Sequence, residues 1–398
     1  MESVKDLMLK NKIEIIIYFV LIPFLYPRGF AEYFPVYKNF FDIWLYCSIV
    51  LVGVIFLYQA WKKQLSYKKC AYAMILYYVL FIVITFGIQK GISEGLQKLF
   101  AAPVLYIFFM ITMKEYCFNI IRCIGNWLIL VFVCNITMFS PLLWSTYFEV
   151  DKHMVFIGHV QVASQISILG VLISFFWKKI GINKYKVLFI LSVITMFISK
   201  TMVSYIVLFV VFCGIVVIRH EKIKKIFQIS PTIFVYVYTA INVLLTVILE
   251  IFDGKIFILG RELVFNGRFH IWYEALKLLK GHWLTGYGAY GVLIKVFWHQ
   301  WIGNLDGMNY AHSEFFQRLL DGGIVLLCAF ILMLCFYVKN MNKVSKKEWL
   351  VIPNLCLIGF LLVMLIESVT EYYYFSVFIS ILAFLPEITQ LYQQKNQV

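Results

Sequence analysis

Residues 178–225 read KKIGINKYKVLFILSVITMFISKTMVSYIVLFVVFCGIVVIRHEKIKK. Lys178, Lys179, Lys184 and Lys186 stand before its apolar part, and Arg219, Lys222, Lys224 and Lys225 stand after it. In a membrane protein such clusters collect on the cytoplasmic side. One long helix would put the two clusters on opposite sides. The chain is therefore expected to cross twice, over 186–199 and 202–218, with Lys200 at the outer turn of a hairpin.

Composition supports the membrane reading. Hydrophobic residues make up 62% of the 398 and charged residues 14%, against about 45–50% and about 25% in soluble domains. The mean hydropathy is +0.85. These values exclude a soluble enzyme, a disordered chain and a disulfide-stapled secreted domain. A spanning helix needs about 20 mostly apolar residues. Twelve segments qualify, several of them short: 13–27, 41–61, 70–88, 99–113, 120–143, 157–177, 186–199, 202–218, 231–252, 319–338, 350–368 and 372–390. The expected fold is an all-α polytopic membrane protein with both termini in the cytoplasm. The first apolar run reads as a retained helix rather than a cleaved signal. The net charge of +14 follows from this topology, since 22 of the 35 basic residues fall in cytoplasmic segments. No nucleic-acid partner is needed to explain it. The nine cysteines lie in or beside apolar runs without a CxxC pair, so they read as packing residues.

One connection differs from the rest. Helices one to nine occupy 1–252 and helices ten to twelve occupy 319–398. Between them, 253–318 forms a large external loop, polar to amphipathic through 312. Loops of more than about 12–15 residues are usually functional or disordered, and this one is rich in aromatic residues and glycine. It holds Arg261 and Arg268, followed by Arg318, among only six arginines, and His270, His282, His299 and His312 among seven histidines. No HxxxH spacing occurs, so no metal site is expected.

Arg268–Lys280 reads RFHIWYEALKLLK, with Ile271, Trp272, Ala275, Leu276 and Leu279 on one helical face. Asn266 can cap this helix and Gly281 can end it. The amphipathic pattern suggests a helix lying on the outer leaflet with Trp272 at the interface. Gly286-Tyr-Gly288-Ala-Tyr-Gly291 spells GxGxxG but lacks the preceding strand of a dinucleotide site. It reads as a tight turn with close backbone approach. Next, Tyr310-Ala-His312-Ser-Glu314-Phe-Phe-Gln317-Arg318 leads into the tenth helix, with Glu314 and Arg318 spaced for an i,i+4 ion pair. His159 and Gln161 open the sixth span on the same side as Lys200. Outside a cell the activated glycan donors are lipid-linked. Transfer from a polyprenyl diphosphate needs cations for the leaving group and a base for the acceptor hydroxyl, to which histidine is suited.

Gly267-Arg268-Phe-His-Ile-Trp272, Leu284-Thr-Gly286-Tyr-Gly288, His312-Ser-Glu314 and Asp321-Gly-Gly resemble the core of the bacterial O-antigen polymerase and ligase superfamily, over roughly 200–325. The resemblance implies a glycosyltransferase of the GT-C type in the cytoplasmic membrane, working without metal or nucleotide cofactor. It assigns importance to Arg268 and His312. The family's other cation, an arginine after a serine, maps onto Ser199-Lys200, where lysine keeps the charge but not the bidentate fork. On this reading His312 and Arg268 are catalytic, and Lys200, Arg261, Arg318, Glu314 and Trp272 contact the donor. The expected partners are a polyprenyl-diphosphate-linked oligosaccharide and the bilayer, with a chain-length regulator and a flippase as associated proteins.

A ligase moves finished polymer to lipid A core, whereas a polymerase moves the growing chain to a new lipid-linked repeat. The lysine-, isoleucine- and phenylalanine-rich composition points to a low-GC source, where lipid A is often missing, and so favours a capsule or O-antigen type polymerase. The rival class is a flippase or other transporter. Transporters more often show matching repeat halves and short loops; here one loop dominates and no halves match.

Overall fold

The computed structural model describes residues 4–63, 68–90, 94–137, 154–258, 261–262, 265–297, 305–370 and 372–395. The helices are α1 (Val4–Leu21), α2 (Arg28–Tyr33), α3 (Pro35–Trp61), α4 (Lys69–Gln89), α5 (Glu94–Thr137), α6 (Val162–Lys179), α7 (Tyr185–Ile198), α8 (Met202–Val217), α9 (Glu221–Ile226), α10 (Pro231–Ile251), α11 (Arg268–Leu279), α12 (Glu314–Lys339), α13 (Val351–Ile366), α14 (Tyr373–Ala383) and α15 (Leu385–Lys395). Three antiparallel hairpins accompany them: β1 (Met154–Val155) with β2 (Gly158–His159), β3 (Phe257–Ile258) with β4 (Arg261–Glu262), and β5 (Ile294–Phe297) with β6 (Leu305–Met308). The bundle is all-α, as the apolar runs demand.

Among the described residues, seven helices are long and apolar enough to cross a membrane, or eight if α14 and α15, bent by 55°, form one span. The expected twelve are not reached, for identifiable reasons. The segments 99–113 and 120–143 join in the 44-residue α5, whose one non-helical residue is Tyr116 (φ −116°, ψ 20°); residues 138–143 lie outside the described residues. Straight, α5 would measure about 66 Å, twice the hydrocarbon thickness. Its contacts place both arms between the same two faces. Gln89, just before it, donates to Ala289 of the loop (3.0 Å). Tyr106 meets Cys70 at the far end of α4, and Phe118 lies near Lys395. Trp127 then donates to the carbonyl of Leu25, near Arg28 and the loop face. Helix α5 is thus kinked at Tyr116, and Leu99–Thr137 counts as one candidate span.

The hairpin expected over 186–218 is present as α7 and α8, of 14 and 16 residues, too short to count as spans by length. Helix α6 is the most buried of the long helices, and α3 is the least.

Helix α12 breaks at Gly322 and Gly323 (φ 62°, ψ −162°). The backbone groups near this break are taken up by the loop. Tyr287 N donates to Leu320 O (2.7 Å), Gly288 N to Asp321 O (2.9 Å), and Ile324 N to Trp283 O (2.7 Å). A side chain at Gly286 (φ +59°) would strike the backbone of Leu320, Gly322 and Gly323. The GxGxxG letters therefore encode the close backbone approach that lets the loop dock on α12.

Candidate active site

Arg268 opens α11 behind Gly267, which takes the cap position in the left-handed region (φ 72°). Asn266, expected as the cap, falls instead in a 3-10 turn over Phe265–Gly267. A cation in a first helical turn opposes the helix dipole, so Arg268 needs an anionic partner. It finds Glu367, the residue that caps the C-terminus of α13. Arg268 Nη2 donates to Glu367 Oε2 (3.1 Å) and Nε donates to the Ile366 carbonyl (2.9 Å). Both side chains are nearly buried, at 10% and 5% exposure.

His312 meets the same carboxylate. Its Nδ1 lies 2.8 Å from Glu367 Oε1 and 3.4 Å from Oε2. Glu367 is 99 residues from Arg268 and 55 from His312 in sequence. A carboxylate acceptor favours the proton on Nδ1 and leaves Nε2 as the basic nitrogen. Among the described residues no partner engages Nε2. His312 has φ +48°, strained for a non-glycine residue. The residue before it is held at both ends: Ala311 N donates to Gln317 Oε1 and its carbonyl accepts from Trp272 Nε1, each 2.8 Å. Buried hydroxyls of Ser313 and Ser368, which flank His312 and Glu367, have no protein partner.

A second charged cluster sits beside the first and is fully enclosed. Arg318 Nε lies 2.9 Å from Glu314 Oε1, as an ion pair rather than an aligned hydrogen bond. Arg318 Nη2 approaches Asp321 Oδ2 (3.2 Å) and donates to Thr370 Oγ1, while Nη1 donates to the Tyr77 hydroxyl. Glu314 accepts from Val369 N, Thr370 N and Thr370 Oγ1. Gln317 and the Tyr290 amide donate to Asp321 Oδ1. The 366–370 segment thus joins both clusters.

The residues expected to contact the donor fall in separate places. Arg318 and Glu314 are buried and engaged with each other, so they support the site from behind rather than face a substrate. Trp272 is also internal. It is 1% exposed and stacks on Phe316 at 5.5 Å, so the apolar face of α11 packs on protein rather than on a leaflet. Helix α11 is tied at its solvent side by Tyr273, which donates to Asp253 Oδ1 (2.6 Å); this bond holds the phenol pKa up at about 12. Lys200 is exposed, at φ +52°, on the α7–α8 turn, and among the described residues no hydrogen bond or ion pair of the Arg268–Glu367–His312 cluster includes it. It shares the same end of the bundle, because α8 packs on α13 with Gly214 against Leu355 and Val207 near Gly359. Arg261 lies on the β3–β4 hairpin opposite Ile258, with its side chain outside what is described. His159 is half-buried on β2, and Gln161 precedes α6. His270 and His282 are on and after α11, and His299 lies outside the described residues.

Sequence reasoning missed Glu367, Thr370 and Arg28. Arg28 lies over the rings of Tyr372 and Tyr373 at the same end of the bundle. The available signal for Glu367 was an acidic residue inside an expected span (350–368), which by default marks a functional position.

Residues 187–331 match a family model described as O-antigen ligase. The match takes in α7, α8, α10, the loop with Arg268 and His312, and most of α12. Over that segment, which is less than half of the chain, the protein is similar to the O-antigen ligase family. No curated protein matches the chain.

Proposed function

We propose that this chain polymerises lipid-linked oligosaccharide repeat units of the capsule or O-antigen type, with a GT-C-like architecture, on the outer face of a bacterial cytoplasmic membrane with both termini inside. One observation carries the reading: Arg268 and His312, both within the matched segment, converge on the carboxylate of Glu367.

On this reading each residue takes a role that its contacts allow. A guanidinium has five N–H donors, and two of those of Arg268 are used by Ile366 and Glu367, so three remain for a diphosphate. His312 Nε2 removes the proton from an acceptor sugar hydroxyl. The resulting oxygen attacks the anomeric carbon of the donor glycan, forming the new glycosidic bond. The bond from that carbon to the diphosphate oxygen breaks, and polyprenyl diphosphate leaves with its extra charge held by Arg268. Glu367 stabilises the imidazolium formed on His312. The unpartnered hydroxyls of Ser313 and Ser368 are available to sugar hydroxyls. Lys200 and Arg261 are the remaining cations assigned to the donor's anionic head. The chemistry uses no metal or nucleotide.

The test is chain growth on purified lipid-linked repeats in proteoliposomes. Arg268→Ala and His312→Ala are each expected to abolish growth in stably inserted protein; growth at the wild-type rate by either variant refutes the mechanism. The description of the matched family favours a second reading, ligase activity. Transfer of polymer to lipid A core, with no lengthening on lipid-linked repeats, would select it.

A further inference from the structure

A small cavity lies between α4, α5, α12 and α14, beside the Arg318 cluster. Its lining is polar for the interior of an apolar bundle. Six of the eleven lining residues carry a hydroxyl: Tyr78, Tyr106, Tyr337, Thr370, Ser376 and Ser380. Tyr106, Tyr337 and Ser380 are buried, and Tyr78 and Ser376 are half-buried. The Tyr106 hydroxyl meets Cys70 Sγ at 3.0 Å. Among the described residues, no hydrogen bond engages the hydroxyls of Tyr78, Tyr337, Ser376 and Ser380. Each of these four oxygens touches free space, unlike the sealed hydroxyls of Tyr238 and Tyr374. Inside a membrane protein such groups need a partner within the fold, because the bilayer core offers none.

Size decides what the partner is. The cavity leaves about 20 Å³ to the centre of a water-sized sphere. One water needs about 10–15 Å³ on that measure and two to four polar partners. The space therefore suits one water and is too small for a sugar or an acyl chain. Arg318 beside it is offset by Glu314 and Asp321, so the cluster draws no anion there. Thr370 connects the cavity to the candidate active site. Its Oγ1 donates to Glu314 Oε1 (2.8 Å) and accepts from Arg318 Nη2 (3.0 Å). A hydroxyl has two acceptor lone pairs, so one remains for a donor in the cavity. Glu314 also accepts the Val369 and Thr370 amides, which follow Glu367 and Ser368 in the chain.

We infer that this cavity binds one ordered water, which donates to Thr370 Oγ1, joins it to neighbouring hydroxyls of the lining, and so helps to hold the 366–370 segment in place from the interior of the bundle. The water site stands on packing and hydrogen bonding alone; only the rate measurement below rests on the glycosyl-transfer reading.

The deciding experiment is radiolytic hydroxyl-radical labelling of the full-length protein in lipid nanodiscs. A bound water generates radicals where it sits, so buried side chains beside it are oxidised. Met74 and Met333 line the cavity and are buried, as are Met113 and Met364, which do not line it. Oxidation is expected at Met74 and Met333 and not at Met113 and Met364; equal oxidation of all four, or of none, overturns the water site. A melting temperature that rises with sodium chloride but not with choline chloride would place a cation there instead and overturn it too. In a second arm, Ser376→Val and Ser380→Val each replace a lining hydroxyl with methyl groups. In folded protein, either variant should lose the label at Met74 and Met333; a label kept by both refutes the site, and if neither folds, the wild-type labelling decides. A variant that loses the label should lower kcat for chain growth about threefold to tenfold, the factor that one neutral hydrogen bond carries, with donor KM unchanged. An unchanged kcat would refute the positioning role. If the wild-type protein shows no chain growth, the glycosyl-transfer reading fails, while the labelling still decides whether the water is bound.

Discussion

Replacing Glu367 by Gln tests whether the carboxylate works through His312. The side chains involved are 5% (Glu367), 10% (Arg268) and 12% (His312) exposed, so water cannot readily replace a lost contact. Glutamine keeps the shape but has one acceptor oxygen. If that oxygen faces Arg268, the amide NH2 faces Nδ1, and His312 must carry its proton on Nε2, which removes the base. If it faces Nδ1, the NH2 meets the Arg268 guanidinium, donor to donor. Either way a charge-assisted bond is lost, worth about 1.5–3 kcal/mol. A positioned general base contributes about 10²–10⁴-fold. We expect the lower end, because His312 itself remains: kcat falls about 100-fold, or about 2.7 kcal/mol at 1.36 per decade, with donor KM changed less than about threefold. Glu367→Asp should recover part of the rate. The assay is initial-rate chain growth in proteoliposomes, with folding checked by detergent size exclusion. Groups acting on one proton are not additive, so Glu367→Gln with His312→Ala should be no slower than His312→Ala alone. Multiplicative losses, or a folded Glu367→Gln protein within about threefold of wild type, would refute the reasoning.

Trp272→Phe keeps the stack on Phe316 but removes the 2.8 Å bond to the Ala311 carbonyl. A buried acceptor left unpaired costs about 1–3 kcal/mol, so the purified protein should melt several degrees lower, with kcat reduced several-fold and donor KM nearly unchanged. Gly323→Ala places a methyl group against the backbone of Leu284 and Trp283 at φ +62°. Fluorescence-detected size exclusion should show loss of the folded peak, whereas Gly53→Ala, with open space around its position, should leave it intact.

Much of the architecture was legible because the apolar runs are long and lysines punctuate them. The hairpin at Ser199–Thr201 followed from charge alone. The number of crossings was less legible. Lys114, Glu115 and Arg122 read as a cytoplasmic loop, yet α5 continues through them with a single irregular residue, Tyr116. Helical periodicity found the apolar face of α11 but could not say what covers it; Phe316 and Ala311 do, which turns Trp272 from an interface anchor into core. Glu367 escaped because an apolar window tolerates one carboxylate near its end. Its importance comes from a three-body contact across 99 and 55 residues of sequence, which no local pattern encodes. Arg268 and His312 were picked out as candidates because they stand in short motifs within a loop too long to be a mere connection.

The two charged clusters divide the work between them. Removing one partner from a buried ion pair typically costs about 3–5 kcal/mol, and the Arg318 cluster is the more deeply buried, with Arg318 at 2% and Glu314 at 0% exposure. Its charges are occupied by Tyr77, Asp321 and Thr370, so they have little to offer a ligand. What they do hold is the 366–370 backbone, through the Val369 and Thr370 amides on Glu314. That backbone carries Glu367 and presents the Ile366 carbonyl to Arg268. The cluster proposed to react is therefore fixed from behind by a saturated one, while Nε2 of His312 and three donors of Arg268 have no partner among the described residues. A site that must stabilise charge as it develops benefits when its dipoles are set before the substrate arrives. On the proposed function, the Glu314–Arg318 pair, four residues apart at the start of α12, supplies that rigidity, which accounts for charged groups in a fully buried position.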